Sequence, residues 1–252
     1  MKLTYIFHSG FALETEGCIL LFDYWLDPAR VIDGLLKSNK PMYVFASHFH
    51  EDHFNPDIFS WKSVKTDITY ILSKDILKHR RAKREDADVW LAKGGSWQDG
   101  LIRANATGSN DSGVSWVVQT ENKYIFHAGD LNNWYARFLT DDYPGGTIYS
   151  PEFGIDINPE KEEKRYLGEL KDIHKLTGRF DIAMFPIDGR IGNGYTRGAR
   201  QFIDHFQVGV LVPMHFVASG FQSAWRMKEF TDAQGIDFWC IGQEGETRSI
   251  NE

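Results

Sequence analysis

The sequence predicts a single α+β domain whose chemistry gathers at the ends of buried strands. Three observations predict it. Short apolar runs bounded by Gly, Asp, Asn and Ser recur along the chain and read as strands of roughly four to eight residues. Fewer stretches place apolar residues at helical spacing, the longest at Leu167, Leu170, Ile173 and Leu176. Histidines and carboxylates follow directly on strand runs, above all in Ser47-His48-Phe49-His50-Glu51-Asp52-His53. At 252 residues, 42% hydrophobic and 25% charged, with no repeat, low-complexity tract or linker, residues 1–252 read as one domain with a sizeable core.

Residues 3–8, 11–15 and 18–23 form an opening meander, broken at Ser9-Gly10 and Glu16-Gly17. An Asp-Pro start and helical spacing predict a helix over 27–36. The apolar run Tyr43-Val44-Phe45-Ala46 is a buried strand, and the histidine cluster is the loop at its C-terminal end. Asn55-Pro56 opens a short helix over 57–61. A strand at 68–72 leads to Ser73, an N-cap for a helix over 74–79. The basic run 78–84 is largely cancelled by Glu85, Asp86 and Asp88, so it reads as a solvated face, with a phosphate-binding patch as the sharper alternative. Residues 89–91 suggest a strand, 94–97 a turn and 101–105 a strand. Residues 113–119 and 123–127 form a hairpin across Glu121-Asn122. Residues 141–159 are irregular, an insertion suited to a lid or to a packed surface loop. A charged helix over 159–176 precedes a buried strand at 181–186. Thr196 caps a helix to Phe206, 208–213 is a strand, 221–233 a helix and 238–241 a last strand.

The net charge of −7 argues against nucleic acid held in a general basic field. No signal peptide or membrane span is recognisable, so a cytoplasmic protein is expected. Cys18 and Cys240 lie in apolar stretches and read as core thiols.

Imidazole and carboxylate are ligands for zinc, iron and manganese, and four of them this close seldom serve packing alone. The pattern His-x-His-x-Asp-His, followed by Asp130 in Phe126-His127-Ala128-Gly129-Asp130 and His215 in Val212-Pro213-Met214-His215-Phe216, resembles the signature of the metallo-β-lactamase-fold hydrolases. Within them the chain looks most like the L-ascorbate-6-phosphate lactonase-like group. The resemblance implies a four-layer αββα sandwich with a dinuclear metal site at one edge. It assigns His48 and His50 to a first metal and Asp52 and His53 to a second, makes Asp130 and His215 the later ligands, and gives Asp130 the bridging place between two metals. It also implies that Asp52 serves as proton acceptor. Relatives usually place a third histidine for the first metal on the loop at 107–113, and this chain has no histidine between His79 and His127. Asp111 is the best substitute, as the only carboxylate in that segment, ahead of Ser109 and Asn110. A first site completed by Asp111, a weak first site and a single-metal centre all remain open.

Around this set, His8 and Asp23 end strands. Either could support a ligand, or be a satisfied core histidine and a turn carboxylate respectively. His127 ends a strand beside Asp130, Trp134 extends from the same loop toward the pocket mouth, Asp188 could support a ligand and Arg190 could meet an anion. The expectation is a hydrolase that uses a metal-activated water on a lactone, amide or phosphoester of a small, polar or anionic substrate, with zinc most fitting and manganese or iron acceptable. A nuclease of the same fold and a mononuclear, non-hydrolytic metal protein are the alternatives. Self-association is left open.

Overall fold

The computed structural model describes residues 1–151 and 154–250. The strands are β1 (Lys2–Phe7), β2 (Gly10–Glu14), β3 (Ile19–Phe22), β4 (Met42–Ala46), β5 (Ile68–Ser73), β6 (Val89–Leu91), β7 (Ser96–Gln98), β8 (Ile102–Gly108), β9 (Val114–Thr120), β10 (Lys123–His127), β11 (Ile148–Ser150), β12 (Ile155–Ile157), β13 (Arg179–Pro186), β14 (Gln207–Met214), β15 (Asp237–Phe238) and β16 (Thr247–Ser249). They build two seven-stranded sheets, ordered β16-β1-β2-β3-β4-β5-β6 and β15-β14-β13-β10-β9-β8-β7, and a β11-β12 ribbon. Helices α1 (Val31–Leu35) and α2 (Lys74–Lys78) flank the first sheet. Helices α3 (Pro159–His174) and α4 (Arg197–His205) flank the second, and α5 (Phe221–Ala224) and α6 (Met227–Ala233) lead into β15. The result is the expected αββα sandwich.

The continuous apolar strands follow from this layering, because a central strand is buried on both faces. On β4, Met42, Val44 and Ala46 join a cluster with Ile32, Leu35, Ile58 and Ile76 beneath α1, α2 and a 3-10 helix, Pro56–Ser63. The alternate residues Tyr43 and Phe45 join the core between the sheets. On β10, His127 stacks on Phe22 of the facing sheet while Phe126 stacks on Phe202 of α4.

Strand direction makes the site. Strands β3 to β6 run parallel, as do β10, β13, β14 and β15. Strands β1 and β3 are each antiparallel to β2, so they share a direction. The loops after β1, β3, β4, β10, β13 and β14 therefore emerge together, carrying His8, Asp23, the histidine cluster, Asp130, Asp188 and His215.

Several expected elements differ. The helix over 27–36 shrinks to α1, because Arg30 takes a left-handed backbone (φ 57°); Asp27 receives the N–H groups of Val31 and Ile32 at 2.8 Å each. Ser73 caps α2 as expected, but Thr196 precedes α4 without a side-chain cap bond. The 94–97 turn contributes β7 as an edge strand, and the helix over 221–233 is broken into α5 and α6. The last expected strand is reduced to β15, and β16, pairing with β1, was not legible at all. The irregular stretch at 141–159 holds β11 and β12; two of its residues, 152 and 153, lie outside the described residues, as do 251 and 252 of the domain. Cys18 and Cys240 are free thiols. Among the described residues no helix is long and apolar enough to cross a membrane.

Candidate metal centre

Two groups of donors converge at the strand ends: His48, His50 and Asp130, and His8, Asp52, His53 and His215, the donor atoms of each group lying within 4.8 Å of one another. Asp130 joins the groups. Its Oδ2 stands 3.1 Å from His48 Nε2, and its Oδ1 stands 2.9 Å from His53 Nε2 and 3.4 Å from His215 Nε2. Six residues assigned to metal from the sequence are thus brought together. Asp111 belongs to neither group. Desolvation and the charge of Asp130 raise the pKa of its carboxyl while His48, His50 and His215 oppose the rise, so it faces the same space.

Proton positions can be read from the partners. Ser47 Oγ stands 2.6 Å from Asp23 Oδ2, so its single proton is donated there, and it accepts from His48 Nδ1–H at 2.9 Å. His53 Nδ1–H donates to the same Asp23 oxygen at 2.6 Å. His215 Nδ1–H donates to Asp188 Oδ2 at 2.9 Å. For His48 and His215 this tautomer turns Nε2 inward as a lone pair, and His53 presents one once its second proton is displaced, the arrangement in which a carboxylate behind a histidine fixes and strengthens a metal ligand. Asp23 and Asp188 are both buried, and both carboxyls sit low. Burial opposes this, but the histidines behind which they stand, with Arg190 at Asp188, outweigh it and bring Asp188 down to about 2.

A cation fits this space. Among the described residues, Asp130 Oδ1, His53 Nε2 and both ring nitrogens of His8 are buried without a hydrogen-bond partner. His53 Nε2 and Asp130 Oδ1 approach to 2.9 Å, but off hydrogen-bond alignment. Two tetrahedral ligands on one zinc, each at ~2.0–2.1 Å, stand about 3.3 Å apart, close to the 3.4 Å between His215 Nε2 and Asp130 Oδ1. Burial disfavours a charged His53, yet Asp130 and Asp23 together hold its pKa well above the usual imidazole value; a divalent ion would take the place of that proton.

The remaining candidates are placed as follows. His127 Nε2–H donates to the Ser9 carbonyl at 2.8 Å and Nδ1 accepts from Gly129 N–H at 3.2 Å, so both nitrogens are used away from the centre and burial keeps it neutral. Trp134 donates from Nε1 to the Asp130 carbonyl and sets its ring edge-on to His215, 5.2 Å away, forming a wall. Arg190 forks onto Asp188, brings Nη2 to 3.1 Å of His215 Nδ1, and leaves its side chain 53% exposed at the rim.

Sequence reasoning missed Ser47, which relays Asp23 to His48, and the two glycines that let the loops close on it. A Cβ on Gly113 would meet the Ser47 carbonyl oxygen at 2.1 Å, and one on Gly129 would meet Ser47 Cβ at 2.8 Å; both have positive φ. The signal was present, since both glycines adjoin loops already singled out.

No family model matches the chain. Igni18, a metallo hydrolase of Ignicoccus hospitalis, superposes with a TM-score of 0.65 at 18% identity, covering 98% of this chain and 97% of that one. YhfI of Bacillus subtilis, a metallo-β-lactamase fold protein, superposes with a TM-score of 0.58 at 13% identity, over 98% and 99%. The fold is that of the metallo-β-lactamases. A UPF0173 metal-dependent hydrolase of Desulforamulus reducens is 25% identical over 86% of this chain and 84% of its own length. In this fold the donor groups occupy the edge where the two parallel strand sets end.

Proposed function

We propose that this protein is a metal-dependent hydrolase of a small anionic substrate, resembling in this the relatives named metal-dependent hydrolase. The observation that carries the reading is the pair of convergent donor groups joined by Asp130, with buried donor atoms left unpartnered. His48, His50 and Asp130 would hold one divalent ion and Asp52, His53, His215 and Asp130 the other, with zinc favoured by the imidazoles and manganese or iron admitted by the carboxylates. Bound there, the ions supply Lewis acidity and a water nucleophile at neutral pH.

The chain's own residues supply the rest. Asp52 is partly open, its side chain 34% exposed, and His8 and His53 outweigh its burial and keep it ionised, so it can accept a proton from the nucleophile. Trp134 limits solvent on the His215 side. Arg190 presents the free edge of its guanidinium to a substrate carboxylate or phosphate while Asp188 fixes the other edge. Lactone, amide and phosphoester substrates all fit this chemistry, and the resemblance to the ascorbate-phosphate lactonase-like group supports a small polar or anionic one.

The test is hydrolysis of a panel of neutral and anionic lactones, amides and phosphoesters by zinc- or manganese-loaded protein. Turnover that is lost with chelator and in Asp130→Asn is expected. Arg190→Ala should raise KM for anionic members ~10–100-fold, matching the about 1.5–3 kcal/mol of a hydrogen bond to a charged group, and leave neutral members unchanged. A loaded protein inert to the whole panel would count against the hydrolase reading.

A further inference from the structure

His8 belongs to no motif, yet its position is fixed from several directions. Its backbone is left-handed (φ 55°), its N–H donates to Tyr5 Oη at 2.8 Å, and its carbonyl accepts from His215 N–H at 3.2 Å. Left-handed backbone is uncommon for a residue with a side chain, so these bonds hold the imidazole against its local preference. The ring lies 4.2 Å from that of His215 and 5.8 Å from that of His53, centre to centre, with Trp25 edge-on behind it. The side chain is 5% exposed and neither ring nitrogen has a hydrogen-bond partner, although Nε2 comes within 3.3 Å of Asp52 Oδ2. A buried imidazole whose nitrogens find nothing better than this one off-alignment carboxylate contact is unfavourable unless something else takes its lone pair.

The other group lacks such a donor. His48, His50 and Asp130 offer three ligands, one of them the imidazole of His50, whose side chain is 42% exposed, and Asp111 is not part of that group. The geometry points to His8 as a direct metal ligand, which makes His8, Asp52, His53 and His215 the tight, first-filled site and His48, His50 and Asp130 the weaker, exchangeable one. The chain thus has no histidine on the loop at 107–113 for one group and brings an additional one, on the loop after β1, to the other. Three imidazoles and a carboxylate make that group richer in nitrogen, which favours zinc and cobalt over manganese. The assignment rests on the metal-binding part of the proposed function.

Cobalt(II) titration of the metal-free full-length protein, followed by its visible absorption and by competition with a chromophoric chelator, tests it. Two variants suit the left-handed backbone at position 8, His8→Asn and His8→Gly; His50→Ala reports on the other group. Wild type should take up a first equivalent more tightly than a second. Both position-8 variants should weaken the first equivalent by at least ~10-fold, the lower bound for losing even a ligand's supporting partner, and change its spectrum. Added imidazole should restore the spectrum of His8→Gly, which separates lost ligation from lost folding. His50→Ala should weaken only the second equivalent. A first equivalent unchanged in affinity and spectrum in His8→Asn and His8→Gly, or one weakened by His50→Ala instead, overturns the assignment. Failure of wild type to bind cobalt at all would overturn the metal-centre reading itself.

Discussion

A single carboxylate, Asp23, sets the proton positions of two imidazoles: it takes His53 Nδ1–H directly and His48 Nδ1–H through Ser47 Oγ. Asp23→Asn replaces one acceptor oxygen by a donor, so Ser47 and His53 can no longer both point their protons at it. Metal affinity should fall ~10–100-fold in both groups, whereas Asp188→Asn should weaken only the group containing His215. Chelator competition on the two variants, with near-UV circular dichroism to confirm packing, checks this; equal losses in the two variants would contradict the relay. The convergence of these donors was legible in the sequence because their spacing is local and their chemistry suits a metal. Asp23 could be read equally as a turn carboxylate, because its partners come from a loop more than twenty residues away, and the choice is made only by tertiary structure. Asp111 shows the converse: residue type and position suggested a ligand, and the loop's path leaves it outside both groups.

Between elements, the loop before β9 packs closely on the loop after β4. Val114 N–H donates to the Ser47 carbonyl at 3.0 Å, and Gly113, at φ 62°, has room for no side chain. Gly113→Ala combines a left-handed alanine with a backbone collision and should destabilise by more than about 1 kcal/mol. Gly100→Ala, where a Cβ meets nothing within 4 Å and φ is ordinary, should stay within about 0.5 kcal/mol of wild type. Urea unfolding of both variants, compared at constant m-value, is the measurement, and similar midpoints would show that the loop yields at little cost. Elements of this kind follow a consistent rule of legibility. Central strands such as β4 and β14 announce themselves, because burial on both faces demands apolar runs. The edge strands β7 and β16 are short and half exposed, so their sequence differs little from loop, and only pairing with β8 and β1 defines them.

For the whole molecule, the histidine–carboxylate centre links stability to pH from two sides. Asp188 is held at about 2, below its ordinary 3.8, so its contribution is present above about pH 4 and is lost as pH falls toward 2. His53 is raised well above 6.5, so its contribution is fully present below about pH 6.5 and is lost as pH rises through the raised value. The metal-free protein therefore weakens on the alkaline side as His53 gives up the proton that balances Asp130 and Asp23. A divalent ion supplies that balance without a proton, so metal binding competes with protons below the raised value and is released from the competition above it. The rise in Tm on adding zinc at fixed free concentration should accordingly grow between about pH 6 and pH 8. For each proton displaced, the change is up to about 1.4 kcal/mol per pH unit. Thermal unfolding of metal-free and zinc-loaded protein across that range measures the increment directly. In Asp23→Asn, where one of the two charges that raise His53 is gone, the dependence should flatten. A zinc increment constant with pH in the wild-type protein would mean that His53 is already neutral before the ion binds, and that Asp130 is balanced by some other group.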